Sequence, residues 1–194
     1  MNKLALIDGD ALCYQSSKET LEESIQNIDE KINNIFEKTE ATHYVIFISN
    51  SPYFRHKIDP LYKSQRSKYT SPLKWLKTVK KYLVEGWNAQ SMDLVEADDL
   101  VSYFYNKEFY EYSPEGIFYK TDALNLVGGT RFENIICSPD KDLLQSIPGK
   151  HFNYTYKLES EDNPNSVIKG WWVETSVEDA IEFINYQLRV GYRH

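Results

Sequence analysis

Seven carboxylates fall into three short groups along this chain: Asp8 with Asp10, Glu96 with Asp98 and Asp99, and Asp140 with Asp142. Gathered in one cleft they could not all stay ionised unaided, because like charges raise one another's pKa. A divalent cation removes that difficulty. Oxygen donors without His or Cys select a hard ion, Mg²⁺ or Mn²⁺, over zinc. Each group alone also fits a plainer role, since acids are favoured in the first turn of a helix and as N-caps. Three groups at corresponding places in the chain argue for a shared task.

A second set of residues complements them. Between Arg55 and Lys81 lie nine basic residues (Arg55, Lys57, Lys63, Arg66, Lys68, Lys74, Lys77, Lys80, Lys81) against one acid, Asp59. The chain as a whole carries a formal charge of −7, so this stretch is near +8 and the remainder near −15. An acidic average would disfavour a polyanionic partner; the segregation of charge reverses that inference. From Tyr53 to Tyr69 the cations alternate with Tyr53, Phe54, Tyr62 and Tyr69. Cations that track a backbone and rings that stack on bases are the parts of a single-strand binding groove. Such a groove beside a carboxylate cluster fits metal-assisted phosphodiester chemistry.

The elements that must position these residues follow from hydrophobic periodicity. Leu4 to Ile7 is a short apolar run that ends at Asp8, and His43 to Ile48 is a second strand. Between them Leu21, Ile25, Ile28, Ile32 and Ile35 recur at helical spacing, with Thr20 and Glu23 as a capping box. Strand, helix and strand in that order predict a right-handed crossover and a parallel sheet. Ser49 to Ser71 reads as a long basic loop. A helix starts at Ser71-Pro72, carries Leu73, Leu76, Val79 and Leu83, and ends at Gly86. Further helices are expected over Leu94–Tyr105, Lys141–Ile147 and Ser176–Val190, with strands at Glu133–Cys137, His151–Tyr156 and Trp171–Glu174. Alternating strands and helices make the fold α/β. In an open parallel sheet, ligands bind beyond the carboxyl ends of the strands. Asp8 and the Asp140/Asp142 pair would meet there, with Glu96 and Asp99 presented from one face of the neighbouring helix.

Composition narrows the class. At 194 residues the chain is one domain's worth of sequence, with 41% hydrophobic and 26% charged residues, which excludes a wholly disordered protein. Cys13 and Cys137 are too few for a disulfide framework and are expected as buried thiols. His43, His56, His151 and His194 have no zinc-ligand spacing. The longest apolar stretch, Tyr44 to Ile48, is far too short to span a membrane, and nothing reads as a signal peptide. A reduced, cytoplasmic setting is the expectation.

Four motifs in order resemble the structure-specific 5′ nucleases, the family of flap endonucleases, the 5′-nuclease domain of bacterial DNA polymerase I and phage 5′–3′ exonucleases, the phage enzymes being nearest. Leu6-Ile7-Asp8-Gly9 is similar to the family's first-strand Asp. Phe54-Arg55 followed by Tyr62-Lys63-Ser64-Gln65-Arg66 resembles its Phe-Arg … Tyr-Lys-x-x-Arg arch. Glu96-Ala97-Asp98-Asp99 resembles its Glu-Ala-Asp-Asp helix, and Ser138-Pro139-Asp140-Lys141-Asp142-Leu143 its Asp-Lys-Asp segment.

The resemblance implies a PIN-like domain over residues 1–194 with a basic helical arch at about 50–72. It implies Mg²⁺ or Mn²⁺, two ions in the complete family site, held by Asp8, Glu96, Asp98, Asp99, Asp140 and Asp142. It also implies Arg55, Lys63 and Arg66 on the phosphates of a 5′ end or flap of DNA, with Tyr62 available for stacking. Lys63, then Arg66, would stabilise the charge of the phosphoryl group in transit. Three features depart from the family. Ser49-Asn50-Ser51 stands where many members carry an Asp after the second strand, and Asp10 is an extra acid, expected only outside the ligand shell. The family's final Gly-Asp-x-x-Asp-Asn and helix–turn–helix have no counterpart in Phe183–His194. Residues 110–131 align with no family motif. Besides an active DNA nuclease, the expectations therefore include a catalytically incomplete nucleic-acid-binding fragment, half of a split enzyme completed by a second polypeptide, and a PIN-type ribonuclease.

Overall fold

The computed structural model describes residues 2–62, 74–107, 109–112, 116–119, 130–160 and 163–190. Its spine is β1 (Asn2–Asp8), where Leu4, Ala5, Leu6 and Ile7 are all buried. A strand that is apolar on both faces belongs in the middle of a covered sheet, and β1 lies there, between β2 (His43–Phe47) and β7 (Thr130–Cys137), parallel to both. At its far end β7 pairs in parallel with β8 (Gly149–Ser160), which turns back antiparallel into β9 (Asn163–Thr175). At its near end β7 meets β5 (Phe109–Tyr112), which forms an antiparallel pair with β6 (Gly116–Tyr119). The protein is thus α/β, with parallel strands at the centre of the sheet and antiparallel pairs at its margin.

Alternate residues feed two cores. Ala5, Ile7, Ile46, Ile135, Cys137, Phe152 and Tyr154 face α1 (Gly9–Ser16), α2 (Leu21–Thr39) and α4 (Leu76–Trp87). Leu4, Leu6, Phe47, Phe132 and Ile136 face α5 (Ala97–Tyr105) and α6 (Lys141–Ser146). The capping box expected at Thr20 and Glu23 opens α2. Two short elements, β3 (Asn50–Tyr53) and α3 (Arg55–Ile58), occupy part of the stretch read as a loop, and β3 pairs with the two-residue β4 (Asp93–Leu94). The last helix, α7 (Val177–Val190), starts from a Ser176–Asp179 cap.

Several boundaries need correction. Asp8-Gly9-Asp10, which reads in the sequence as a loop after the first strand, instead leads directly into α1. Gly86 does not end α4: the helix continues to Trp87 and stops at Asn88, whose φ is 52°. The Trp87 indole donates to Asp29 at 2.8 Å and packs near Phe36 and Tyr44, and that anchorage carries the helix past the glycine. The expected start of this helix at Ser71-Pro72 lies outside the described residues. Leu94 is not helical; it has φ 67° and pairs with Tyr53, so α5 begins only after Glu96. Both cysteines are buried and unpaired, as expected. Among the described residues no helix is long and apolar enough to cross a membrane.

Candidate functional site

Asp8 is the last residue of β1 and the N-cap of α1, where its Oδ1 accepts from the Ala11 N–H at 3.1 Å. The tight strand-to-helix turn depends on Gly9, where a Cβ would come within 2.6 Å of the Phe47 carbonyl oxygen. The neighbouring β7 ends one residue before Ser138, whose hydroxyl donates to Asp8 Oδ2 at 3.0 Å. That same Ser138 oxygen accepts from the Asp140 N–H at 3.1 Å, so one hydroxyl ties the Asp8 carboxylate to the Asp140 backbone. Asp140 then caps α6, accepting from the Asp142 N–H at 2.8 Å. Behind the turn, the buried Tyr154 hydroxyl donates to the Asp8 carbonyl at 2.6 Å.

Asp8 is only 5% exposed. Burial, with Asp10 and Asp98 adding repulsion, pushes its carboxyl up to about 7 against the lowering effect of Ala11 and Ser138. A carboxyl kept close to neutrality by desolvation is one that gains from a cation.

The second acidic group sits at the start of α5. Glu96 is the N-cap residue and is almost wholly buried, while Asp98 and Asp99 are half-buried in the first turn. One carboxylate oxygen from each of the three lies within 4.8 Å of the others. Arg55 of α3 grips two of them: Nη1 and Nη2 each donate to Asp99 at 2.8 Å, and Nη1 also pairs with Glu96. Paired N–H bonds to one carboxylate are the strong geometry for a guanidinium. The Asp99 bonds lead in holding the Arg55 pKa above its ordinary value. The Tyr62 hydroxyl donates to Glu96 at 2.9 Å, and burial together with that bond pushes it up to about 12.

Ser49 joins the two groups. Its hydroxyl accepts from the Ala97 N–H at 2.7 Å, supplying the cap that Glu96 itself does not make. Its N–H donates to Asp10 at 3.1 Å, and its carbonyl accepts from the Lys80 ammonium at 3.1 Å. Lys80 closes the loop with an ion pair to Asp10 at 2.6 Å, and although burial opposes its charge, Asp10 carries its pKa above the ordinary value.

Among the described residues only Glu96, Asp98 and Asp99, one lip at the start of α5, bring carboxylate oxygens within ligand-sharing distance. Asp8 and Asp140, tied through Ser138 at the ends of β1 and β7, with Asp142 in the first turn of α6, make the other lip, and Ser49 links Asp10 to the start of α5. The all-oxygen donor set of the two lips and the near-neutral Asp8 fit a hard divalent cation. Arg55, expected on the substrate's phosphates, here binds Glu96 and Asp99, and Tyr62, expected to stack, here donates to Glu96. Lys63 and Arg66 lie outside the described residues.

Sequence reading missed the linking residues. Ser138 was visible only as the residue before Pro139, and Tyr154 only as part of a weak strand. Ser49 looked like a lost acid, yet it serves as a three-way junction. Lys80 was counted only as one of the nine cations of the basic stretch, and a count gives no sign that it turns inward.

The structure is similar to solved structures from bacteriophage T5. One is a pseudo-enzyme–product complex of the T5 flap endonuclease with DNA and metal ions, at TM-score 0.48 and 15% identity over 76% of this chain and 52% of that one. Another is a T5 protein co-crystallised with metal ions, at 0.44 and 16% over 76% and 52%. A third is T5 5′-exonuclease with zinc bound, at 0.42 and 18% over 74% and 51%. This chain spans about half the length of those matched structures. No protein-family model and no curated protein sequence matches it.

Proposed function

We propose that this chain is a divalent-cation-dependent nuclease of PIN-like fold that hydrolyses DNA phosphodiesters from a 5′ end or flap. One observation carries the reading: two carboxylate lips, linked through Ser138 and Ser49, meet at the strand ends where a parallel sheet binds its ligands. Asp8, Glu96, Asp98, Asp99, Asp140 and Asp142 would hold Mg²⁺ or Mn²⁺. The bound cation supplies Lewis acidity for the phosphodiester and acidifies the attacking water.

The chain's own residues do the rest. Ser138 orients the Asp8 carboxylate and holds the backbone of Asp140 beside it. Arg55 has two competing sets of partners, the carboxylates now in its grip and a substrate phosphate, because both are oxyanions that a guanidinium binds through paired N–H groups. Tyr62 leaves Glu96 with it and offers its ring to a terminal base. Lys63 first, and Arg66 second, take the developing charge on the phosphoryl oxygens.

The Arg55–Glu96–Asp99 ion pair also favours a second reading: a nucleic-acid-binding module whose acidic cluster is satisfied from within. The two readings separate on a 5′-labelled flap and a 5′-labelled single strand with Mg²⁺ or Mn²⁺. Cleavage by the wild type, slowed about a hundredfold or more in Asp140→Asn, is the expected result. Equal background from both proteins would overturn the nuclease reading, and retained strand binding in that case would leave the second one.

A further inference from the structure

The register of the sheet places one aromatic residue in line with the carboxylates. Asp8 on β1 lies opposite Phe47 on β2, and on its other side Ile7 pairs with Cys137, so Ser138 follows level with Asp8. Cys137 pairs in turn with Phe152 of β8, which brings Asn153 level with Ser138, and Asn153 pairs directly with Trp171 of β9. Phe47, Asp8, Ser138, Asn153 and Trp171 therefore form one lateral row across five strands.

They also share a face. Leu4 and Leu6 belong to the core under α5 and α6, and Asp8 is next in that alternation. Val173 packs on the same core, and Trp171 is two residues from it on a regularly paired stretch. Three strand spacings separate Asp8 from Trp171, about 14 Å.

Trp171 is half-buried, and the Lys157 ammonium lies 4.3 Å from the centroid of its ring, on a side chain that is itself exposed. An indole with a lysine over it is chemically suited to a nucleotide: a base takes the ring and the ammonium meets the adjoining phosphate. A few residues away the same pairing recurs on the other face, where Lys150 lies 4.6 Å from the ring of Trp172, which packs against Phe152. Of these two pairs, the Trp171 pair lies on the face of the sheet that carries Asp8.

We infer that Trp171 and Lys157 form a docking platform for single-stranded nucleic acid, holding the strand beside the carboxylate cleft. The inference rests on the nuclease reading for its substrate class, and binding can be tested apart from cleavage. Anisotropy of a labelled oligothymidylate single strand, titrated with the full chain in EDTA, measures the platform alone. Trp171→Ala should weaken binding about tenfold or more, and Trp171→Phe should keep most of the affinity. Lys157→Ala should weaken binding and flatten the dependence on log salt by about one ion. Trp172→Ala, on the opposite face, should bind as the wild type does. Wild-type affinity in Trp171→Ala, or an equal loss in Trp172→Ala, would overturn the platform even if the chain cleaves DNA. Loss in Trp171→Ala with rescue by Trp171→Phe, in a chain that never cleaves, would uphold the platform and remove only the reaction.

Discussion

The two lips of the cleft carry the same kind of side chain and solve the problem of crowded negative charge in opposite ways. On the strand-end lip, Asp8 accepts from hydroxyl and backbone donors, with no cation among its described partners, and burial pushes its carboxyl up to about 7. On the helix lip, Glu96 and Asp99 share the guanidinium of Arg55. At Asp8 burial favours the protonated carboxyl, whereas Glu96 and Asp99 meet their charge with an ion pair. A divalent cation would release that proton and compete with that ion pair, so the lips should respond differently to pH, to metal and to mutation.

The largest effect is expected at Asp8. Its carboxyl titrates at about 7 in the folded chain against 3.8 as the unperturbed value. The folded state thus holds a proton that the unfolded state has lost, and stability falls as pH rises between those values. Below about pH 4 both states are protonated and the penalty vanishes; above about pH 7 it is complete. Asp8→Asn, which keeps an oxygen for the Ala11 N–H, should therefore stabilise the metal-free protein at about pH 8 by as much as ~4 kcal/mol, and hardly at all near pH 4. Denaturant titrations in EDTA at the two pH values check this. A gain that does not depend on pH would place the effect in packing rather than in charge.

Arg55→Ala probes the other lip. It leaves Glu96 buried without its guanidinium, at a cost of about 1–3 kcal/mol. Unlike the gain at Asp8, this loss should be recovered when Mg²⁺ is added, because ligand binding stabilises the folded state by mass action. Thermal melts with and without Mg²⁺ read the difference, and a loss untouched by the cation would show that Arg55 acts only as a structural strut. Ser49→Ala should give the smallest change. It removes the hydroxyl that caps the Ala97 N–H while leaving the backbone bonds to Asp10 and Lys80, for about 1 kcal/mol.

The same contrast explains what could be read from the sequence. The buried strands and the amphipathic α2 announce themselves because burial imposes a period on the chain: Leu4 to Ile7 is apolar on both faces, and Ile28, Ile32 and Ile35 recur at helical spacing. The carboxylates were legible because their types and places relative to those strands are chemically unusual. The β8–β9 pair was underestimated, since Lys, Ser and Asn fill much of it and its antiparallel ladder is held by backbone bonds that any side chain permits. The β5–β6 pair was not read either, although Phe109-Tyr110-Glu111-Tyr112 and Gly116-Ile117-Phe118-Tyr119 are rich in strand-favouring aromatics. Arg55 and Lys80 were read as part of a positive surface, because a list of charges carries no direction. Only the fold shows both turning inward onto acids.

The position of β1 in the sheet also sets a timetable. Its partner β2 ends at Phe47, but the strand on its other side starts at Thr130, so about 80 further residues must be synthesised before that edge is closed. At roughly 5–20 residues per second this takes several seconds of translation. Until then the apolar strand Asn2–Asp8 presents an open hydrogen-bonding edge, the kind that recruits other strands. Asp8 likewise waits for Ser138, 130 residues downstream. The cleft is therefore among the last features the nascent chain completes, and the emerging protein passes through its most association-prone stage before it has a site to work with.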